Sequence, residues 1–274
     1  PFRLLSSVTR KKGVRVFNIF VSYAITAIVV IGALTIFNSD QSRVSLEIVT
    51  TFLLLVGLTS GFELGIVKSC LINTTDNTSR RFEWHMLLGK IALRALIPSV
   101  IIFLVWLNLE TEVGAARKFA FSYCLCLIGL LSSELRVIFD SIGWHISAIW
   151  TKQGGLTLGI LIFLTGVYLD FGQTPSLIAY CLIRVFWLAT QFYRYNRKCA
   201  NKKTITLKAA ELSGWRNIFI LTLLSTMSGN IDRILASYFL DATVVMSYFL
   251  AYEIFTKYWL IAYIMNPIIF VRYA

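Results

Sequence analysis

The 274-residue chain is 57% hydrophobic, carries 26 Lys and Arg against 14 Asp and Glu, and has a formal net charge of +12 and a mean hydropathy of +0.72. An apolar share above the roughly 45–50% of ordinary soluble domains excludes that class. The positive charge does not indicate nucleic acid either. It falls in short segments flanking long apolar runs, where it reports membrane orientation and contact with anionic lipid.

Runs long enough to cross a bilayer, which takes about 17–25 residues, occupy 16–37, 46–67, 91–108, 119–139, 154–171, 175–194, 217–240 and 243–270. Arg3, Arg10, Lys11, Lys12 and Arg15 precede the first. Lys68, Arg80, Arg81, Lys90 and Arg94 follow the second, and Arg136 and Lys152 follow the fourth. A link from Arg194 to Arg216 follows the sixth and is basic through its first half; Arg272 lies beyond the eighth. The opposite loops hold only Arg43, Arg117 and Lys118. Because Lys and Arg collect in cytoplasmic loops, the pattern predicts eight spanning helices with the N-terminus in the cytoplasm. The first run is too long for a cleavable signal, and no small-residue cleavage site follows it. The fold class expected is an all-α polytopic membrane protein, with a six-helix lobe over 1–195, a basic linker over 196–216, and the first two helices of an incomplete second lobe over 217–274.

Cys70, Cys124, Cys126, Cys181 and Cys199 sit in or beside apolar runs with no CxxC pair, which reads as small buried hydrophobes. His85 and His145 have no second ligand at metal spacing. Two Asn-x-Ser/Thr matches, at Asn73 and Asn77, fall in a loop assigned to the cytoplasm, where glycosylation does not occur. No metal site and no cofactor is expected.

Ionisable groups inside spanning segments are costly and are read first as functional. On the sixth run Tyr180, Arg184, Trp187, Gln191 and Arg194 share one face. They are either partners of a neighbouring helix or an anion-binding face beside a cavity. On the seventh, Thr222, Ser225, Thr226, Gly229, Asp232 and Arg233 line a polar face; Asp232 and Arg233 lie about 100° apart, so each is expected to find a partner elsewhere. Glu253 and Lys257 are spaced for a local ion pair on the eighth. Glu63 lies in the second run. Glu134 and Arg136 lie near the end of the fourth, close enough to snorkel. Gly57, Gly61 and Gly65 form a ridge of small residues along which a neighbour can approach.

The stretch from Ser228 to Leu240 (SGNIDRILASYFL), then Met246 to Tyr252 and Asn266-Pro267, resembles the seventh and eighth helices of the Wzx-type lipid-linked O-antigen flippases, the polysaccharide-export branch of the MATE-like superfamily. Val56 to Ile66 is similar to their glycine-containing second helix. The likeness implies two facing six-helix lobes, of which this chain holds one and part of the other, and so a truncated protein. It also implies a cargo, a polyprenyl-pyrophosphate-linked oligosaccharide flipped across the cell inner membrane by alternating access, and polysaccharide-assembly proteins and membrane lipids as partners.

On that reading Arg184, Arg233, Arg136 and Lys257 attract the pyrophosphate, Tyr180 and Trp187 stack on sugars, and Asp232, Glu253 or Glu63 couples a proton or sodium ion. It expects open, wet space beside Arg184 and Arg233. The reading of a different class is a polytopic enzyme of polysaccharide assembly (polymerase, ligase or glycosyltransferase). Its acidic groups would come from an outer loop, where Glu110 and Glu112 are the only cluster. Drug–cation antiporters of the same superfamily are a further substrate-level alternative.

Overall fold

The computed structural model describes residues 18, 21–22, 24–32, 35, 43–68, 81–82, 84–109, 113–199, 204–205 and 215–255. The protein is an all-α helical bundle. Its principal helices are α1 (Arg43–Gly61), α2 (Trp84–Leu107), α3 (Ala115–Ser141), α4 (His145–Tyr168), α5 (Gln173–Lys198), α6 (Trp215–Ser228), α7 (Ile231–Phe239) and α8 (Ala242–Phe255). Among the described residues the extended structure consists of β1 (Arg81–Phe82) and β2 (Thr204–Ile205), a two-residue parallel pairing with Arg81 opposite Thr204.

Among the described residues five helices are long and apolar enough to cross a membrane, or six if α6 and α7 count as one broken span bent by 42°. The expectation of about eight is therefore not met among the described residues. The first run is described only in part. The seventh is not one straight span, because the chain turns at Gly229–Asn230 between α6 and α7. Of the eighth, only the α8 portion is described. The fifth run begins earlier than expected, at His145 instead of 154. The first turns of α4 carry Ser147, Lys152 and Gln153, which are too polar to register as membrane sequence.

The outside of the bundle is apolar, and its interior holds polar groups among a hydrophobic core. Leu93 on α2 is 71% exposed, Leu182 on α5 65% and Phe239 on α7 80%, whereas Ser99, Ser122, Ser132 and Ser133 are buried. An apolar surface over a core that also covers polar groups suits a bilayer, where polar groups are satisfied within the protein and hydrocarbon covers the rest. The protein is membrane-embedded.

Short turns set the neighbours. Positive φ at Gly143 (81°) brings α4 back beside α3, with the Trp144 N–H donating to the Phe139 carbonyl at 2.8 Å. Between α4 and α5, Asp170 and Gly172 take φ of 59° and 81°. Both reversals need the left-handed region that glycine enters without strain.

Helix α1 lies at the centre, packed against α2, α3, α4, α6 and α7. Phe52, Leu54, Leu55 and Leu58 on it are fully buried, and the Phe52 ring stacks on Phe163 of α4 at 3.5 Å between centroids. Its glycine ridge faces α6 and α7: a Cβ on Gly57 would lie 3.3 Å from the Arg233 Nη1, and one on Gly61 would lie 2.5 Å from the Thr226 hydroxyl. The ridge thus permits close approach, as its spacing predicts. After Gly61 the helix stops; residues 62–65 are non-helical, Gly65 has φ of 68°, and helix resumes at 66–68.

Glycine organises a second contact that the sequence reading passed over. On α4, Gly154, Gly155, Gly159 and Gly166 make a trough that receives α5. A Cβ at Gly155 would come 2.6 Å from the Trp187 ring, one at Gly159 2.7 Å from Tyr180, and one at Gly166 2.6 Å from the Ser176 hydroxyl. Small residues at such spacing let membrane helices pack by van der Waals contact where no hydrophobic force drives them together. Gly159→Leu is expected to lower stability by about 1–3 kcal/mol through overpacking. At Gly89 an added methyl meets nothing within 4 Å. Gly89→Ala should leave stability unchanged or raise it by up to about 1 kcal/mol. Thermal unfolding of the two variants in detergent makes the comparison; equal stabilities would rule out the α4–α5 contact.

Candidate functional site

The ionisable residues picked out from the sequence fall into three separate places. The first lies between α7 and α8. Arg233 is buried, and its Nη2 donates to Glu253 Oε1 at 2.7 Å, with side-chain exposures of 7% and 17%. Its guanidinium lies 3.7 Å from the centroid of Tyr252 and 5.4 Å from that of Phe249. Phe249, Tyr252 and Glu253 are three and four residues apart, so one face of α8 supplies two rings and a carboxylate to one arginine.

Asp232 finds different partners, as its angle on the helix predicts. Its Oδ1 accepts from the Arg233 backbone N–H at 2.9 Å and its Oδ2 accepts from the Tyr248 hydroxyl. Tyr252 in turn donates to the Gly229 carbonyl at 3.0 Å, which ties α8 to the bend between α6 and α7. Glu253 makes an inter-helix pair with Arg233; Lys257, its expected local partner, lies outside the described residues.

The second place is the buried face of α5. Arg184 is 5% exposed, and its Nη1 and Nη2 donate to the Lys152 carbonyl at 3.3 Å and the Ser132 hydroxyl at 3.2 Å. Its Nε is buried without a hydrogen-bond partner. Tyr180 meets Phe52 edge to face at 5.1 Å, and the Trp187 indole N–H donates to the Trp150 carbonyl at 3.2 Å. With Gln191 also buried, this face packs on α3 and α4. Both guanidiniums have protein partners among the described residues: that of Arg184 is held by protein oxygens, that of Arg233 by a carboxylate and two rings.

The third place is near the end of the bundle where the basic segments gather. Arg136 and Glu63 approach at 3.9 Å with side chains 40% and 26% exposed, a pair of little energetic weight. Beside them Glu134 does not snorkel, contrary to its nearness to the helix end. It is 1% exposed and accepts from the backbone N–H groups of Ile66 at 3.2 Å and Val67 at 2.8 Å. Those are orphan donors of the turn that restarts after the break at 62–65, so the carboxylate caps it. At the other end Lys118, expected in a loop, is inside α3 and buried, donating to the carbonyls of Trp106 and Leu109 at 3.1 and 3.0 Å, where α2 ends. Neither role could be read from the sequence, since both partners are backbone groups distant along the chain.

None of these arginines lines the polar cavity that the structure does contain. It has a volume of about 260 Å³ and lies between α1, the end of α2 and the junction of α7 with α8, lined by Glu47, Thr50, Thr51, Asn108, Ser237, Tyr238 and Asp241 among others. Ser237 connects it to the first cluster, because its hydroxyl donates to the Arg233 carbonyl one turn back along α7, at 2.9 Å. Thr50 and Thr51 are helix-facing hydroxyls in an otherwise apolar stretch of α1, a signal that was visible in the sequence.

No family model, curated protein or solved structure matches the chain.

Removing one member of a buried ion pair leaves the other charge unpaired, at a cost of about 3–5 kcal/mol, while replacing both with apolar groups is often neutral. Arg233→Met and Glu253→Leu should each lower the thermal midpoint markedly, and the double variant should recover most of the loss. Additive losses would mean that the two side chains do not meet.

Proposed function

We propose that this chain is a transporter, and that its cargo is a polyprenyl-pyrophosphate-linked oligosaccharide flipped across the cytoplasmic membrane by alternating access, with the N-terminus in the cytoplasm. The observation that carries the reading is a partly open polar cavity at one end of a bundle whose outer surface is apolar. Hydroxyls from Thr50, Thr51, Ser237 and Tyr238, the Asn108 amide and the carboxylates of Glu47 and Asp241 make a surface suited to a hydroxyl-rich headgroup. The cavity also lies where the N-terminal helices meet α6–α8, the two parts that the resemblance treats as different lobes. Polar sites at the interface of such units are where alternating access operates.

The roles of the arginines are revised on this reading. Arg184 positions α5 on α3 and α4. Arg233 is the candidate for the pyrophosphate, but only in a state in which Glu253 has let it go. Its paired state then closes the path one helical turn from Ser237, and a guanidinium gives a phosphate the same forked hydrogen bonds that it gives a carboxylate. Glu253 and Asp232 are the groups through which a proton or sodium ion would bias the two states, since both contact the residues that would separate. Glu63, paired with the half-exposed Arg136, is the weaker candidate.

Ser237 is half-buried and lines the cavity, so a large side chain there fills the space without entering the core. Ser237→Trp should abolish flipping of a fluorescent lipid-linked oligosaccharide in proteoliposomes while membrane insertion and thermal stability stay normal. Undiminished flipping by that variant would remove the cavity from the transport path. Covalent transfer of sugar by the purified protein would replace the transporter with an enzyme.

A further inference from the structure

A second space lies on the outside of the bundle, and its walls share no residue with the polar cavity. Helices α2 and α5 both pack on α3 but not closely on each other. The gap between them is a groove of about 610 Å³, whose walls include Leu88 of α2, Leu131 of α3, and Leu188, Ala189 and Phe192 of α5. It is apolar except at one end, where Tyr193 and Asn196 of α5 line it. That end belongs to the part of the bundle where the basic segments gather: Arg197 follows Tyr193 by four residues on the same face, and both are exposed.

Two observations bear on what fills it. The first is charge: an apolar groove with Arg197 one helical turn beyond Tyr193 at its polar end matches a chain joined to an anion, and each basic residue near a membrane surface favours anionic lipid. The second is an unmet hydrogen bond. Asn196 Oδ1 is buried and has no partner, whereas buried acceptors are normally satisfied. A phosphate in the groove suits Arg197, and a hydroxyl donor suits the Asn196 oxygen once its amide turns toward the groove.

We propose that the groove is a binding site for an anionic glycerophospholipid with a hydroxyl-bearing headgroup, such as phosphatidylglycerol. One acyl chain lies along Leu131, Leu188 and Phe192, the phosphate meets Arg197, and a headgroup hydroxyl donates to Asn196 Oδ1. Bound there, the lipid fills the space between α2 and α5 that the protein leaves open over α3. It is a resident lipid and not cargo, and the proposal does not depend on the transport reading.

The test is native mass spectrometry of the full chain in mild detergent, titrated with phosphatidylglycerol, phosphatidylcholine and phosphatidic acid of identical chains, and with undecaprenyl phosphate. Phosphatidylglycerol should be retained in preference to phosphatidylcholine, and Arg197→Ala should reduce that preference by about fivefold. Asn196→Leu should weaken retention of phosphatidylglycerol but not of phosphatidic acid, which lacks the headgroup hydroxyl. Ala189→Trp, at an exposed position on the groove wall, should eliminate the bound lipid while the unfolding temperature stays unchanged. Equal retention of phosphatidylglycerol and phosphatidylcholine, or loss of neither on Arg197→Ala and Ala189→Trp, overturns the proposal. Displacement of phosphatidylglycerol by equimolar undecaprenyl phosphate also overturns it, because the groove would then belong to the cargo.

Discussion

The bare face of α1 is the constraint on which the other features depend. Where Gly57 and Gly61 lack side chains, α6 and α7 come close enough for Thr226 and Arg233 to occupy the vacated volume. In lipid no hydrophobic force pulls helices together, so this fit, with its hydrogen bonds, must supply the attraction itself. The Thr222 hydroxyl adds to it by donating to the Glu63 carbonyl at 2.9 Å, at the start of the α1 break. Gly57 leaves room for the Nη1 of the buried Arg233, which a Cβ there would approach at 3.3 Å. The ion pair with Glu253, the ring contacts on Tyr252 and Phe249, and the position of Ser237 at the cavity wall follow from that placement.

The membrane class and the principal spans were legible because a bilayer demands length and apolarity, both of which survive in a single sequence. The runs at 46–67 and 175–194 correspond to Ser45–Lys68 and Gln173–Lys198. What hydropathy could not convey was which polar residues are covered by protein instead of water. Lys118, Glu134, Lys152 and Gln153 all look like helix-end residues by composition. Yet Lys118 and Glu134 are buried against backbone groups of other helices, and Gln153 is buried inside α4. The break in α1 was hidden for the same reason. Phe62, Leu64 and Ile66 continue the apolar run on either side of Glu63, and Gly65, with its positive φ, and the distant Glu134 mark where the helix stops.

The candidate site was legible in part. The angular argument that separated Asp232 from Arg233 holds, because it used helix geometry alone. The face of α5 was recognised as one face, and of its two readings, a neighbouring helix or a cavity, the structure shows the neighbouring helix. Tyr180, Arg184 and Trp187 have the amphipathic look of a cavity wall, and what they face is the glycine trough of α4. Gly155 and Gly159, spaced as a close-packing pair, carried that information in the sequence. An aromatic and cationic stripe on a membrane helix therefore needs to be weighed against small residues on its neighbours before it is assigned to a ligand.

These contacts bear unequally on motion. The α4–α5 interface is interlocked: Trp187 and Tyr180 fill the spaces over Gly155 and Gly159, and Arg184 adds hydrogen bonds to α3 and α4. Sliding or opening it would cost many contacts at once. The α1 interface with α6 and α7 is held differently, by small residues and threonine hydroxyls; it borders the polar cavity, and the buried ion pair lies next to it, between α7 and α8. Because Glu253 is carried on α8 and Arg233 on α7, a group that neutralises either charge removes the reason for the two helices to stay together at that point, and desolvation then favours their separation. Any conformational cycle in this protein should therefore leave α4 and α5 together as a rigid unit and place its moving boundary along the glycine face of α1.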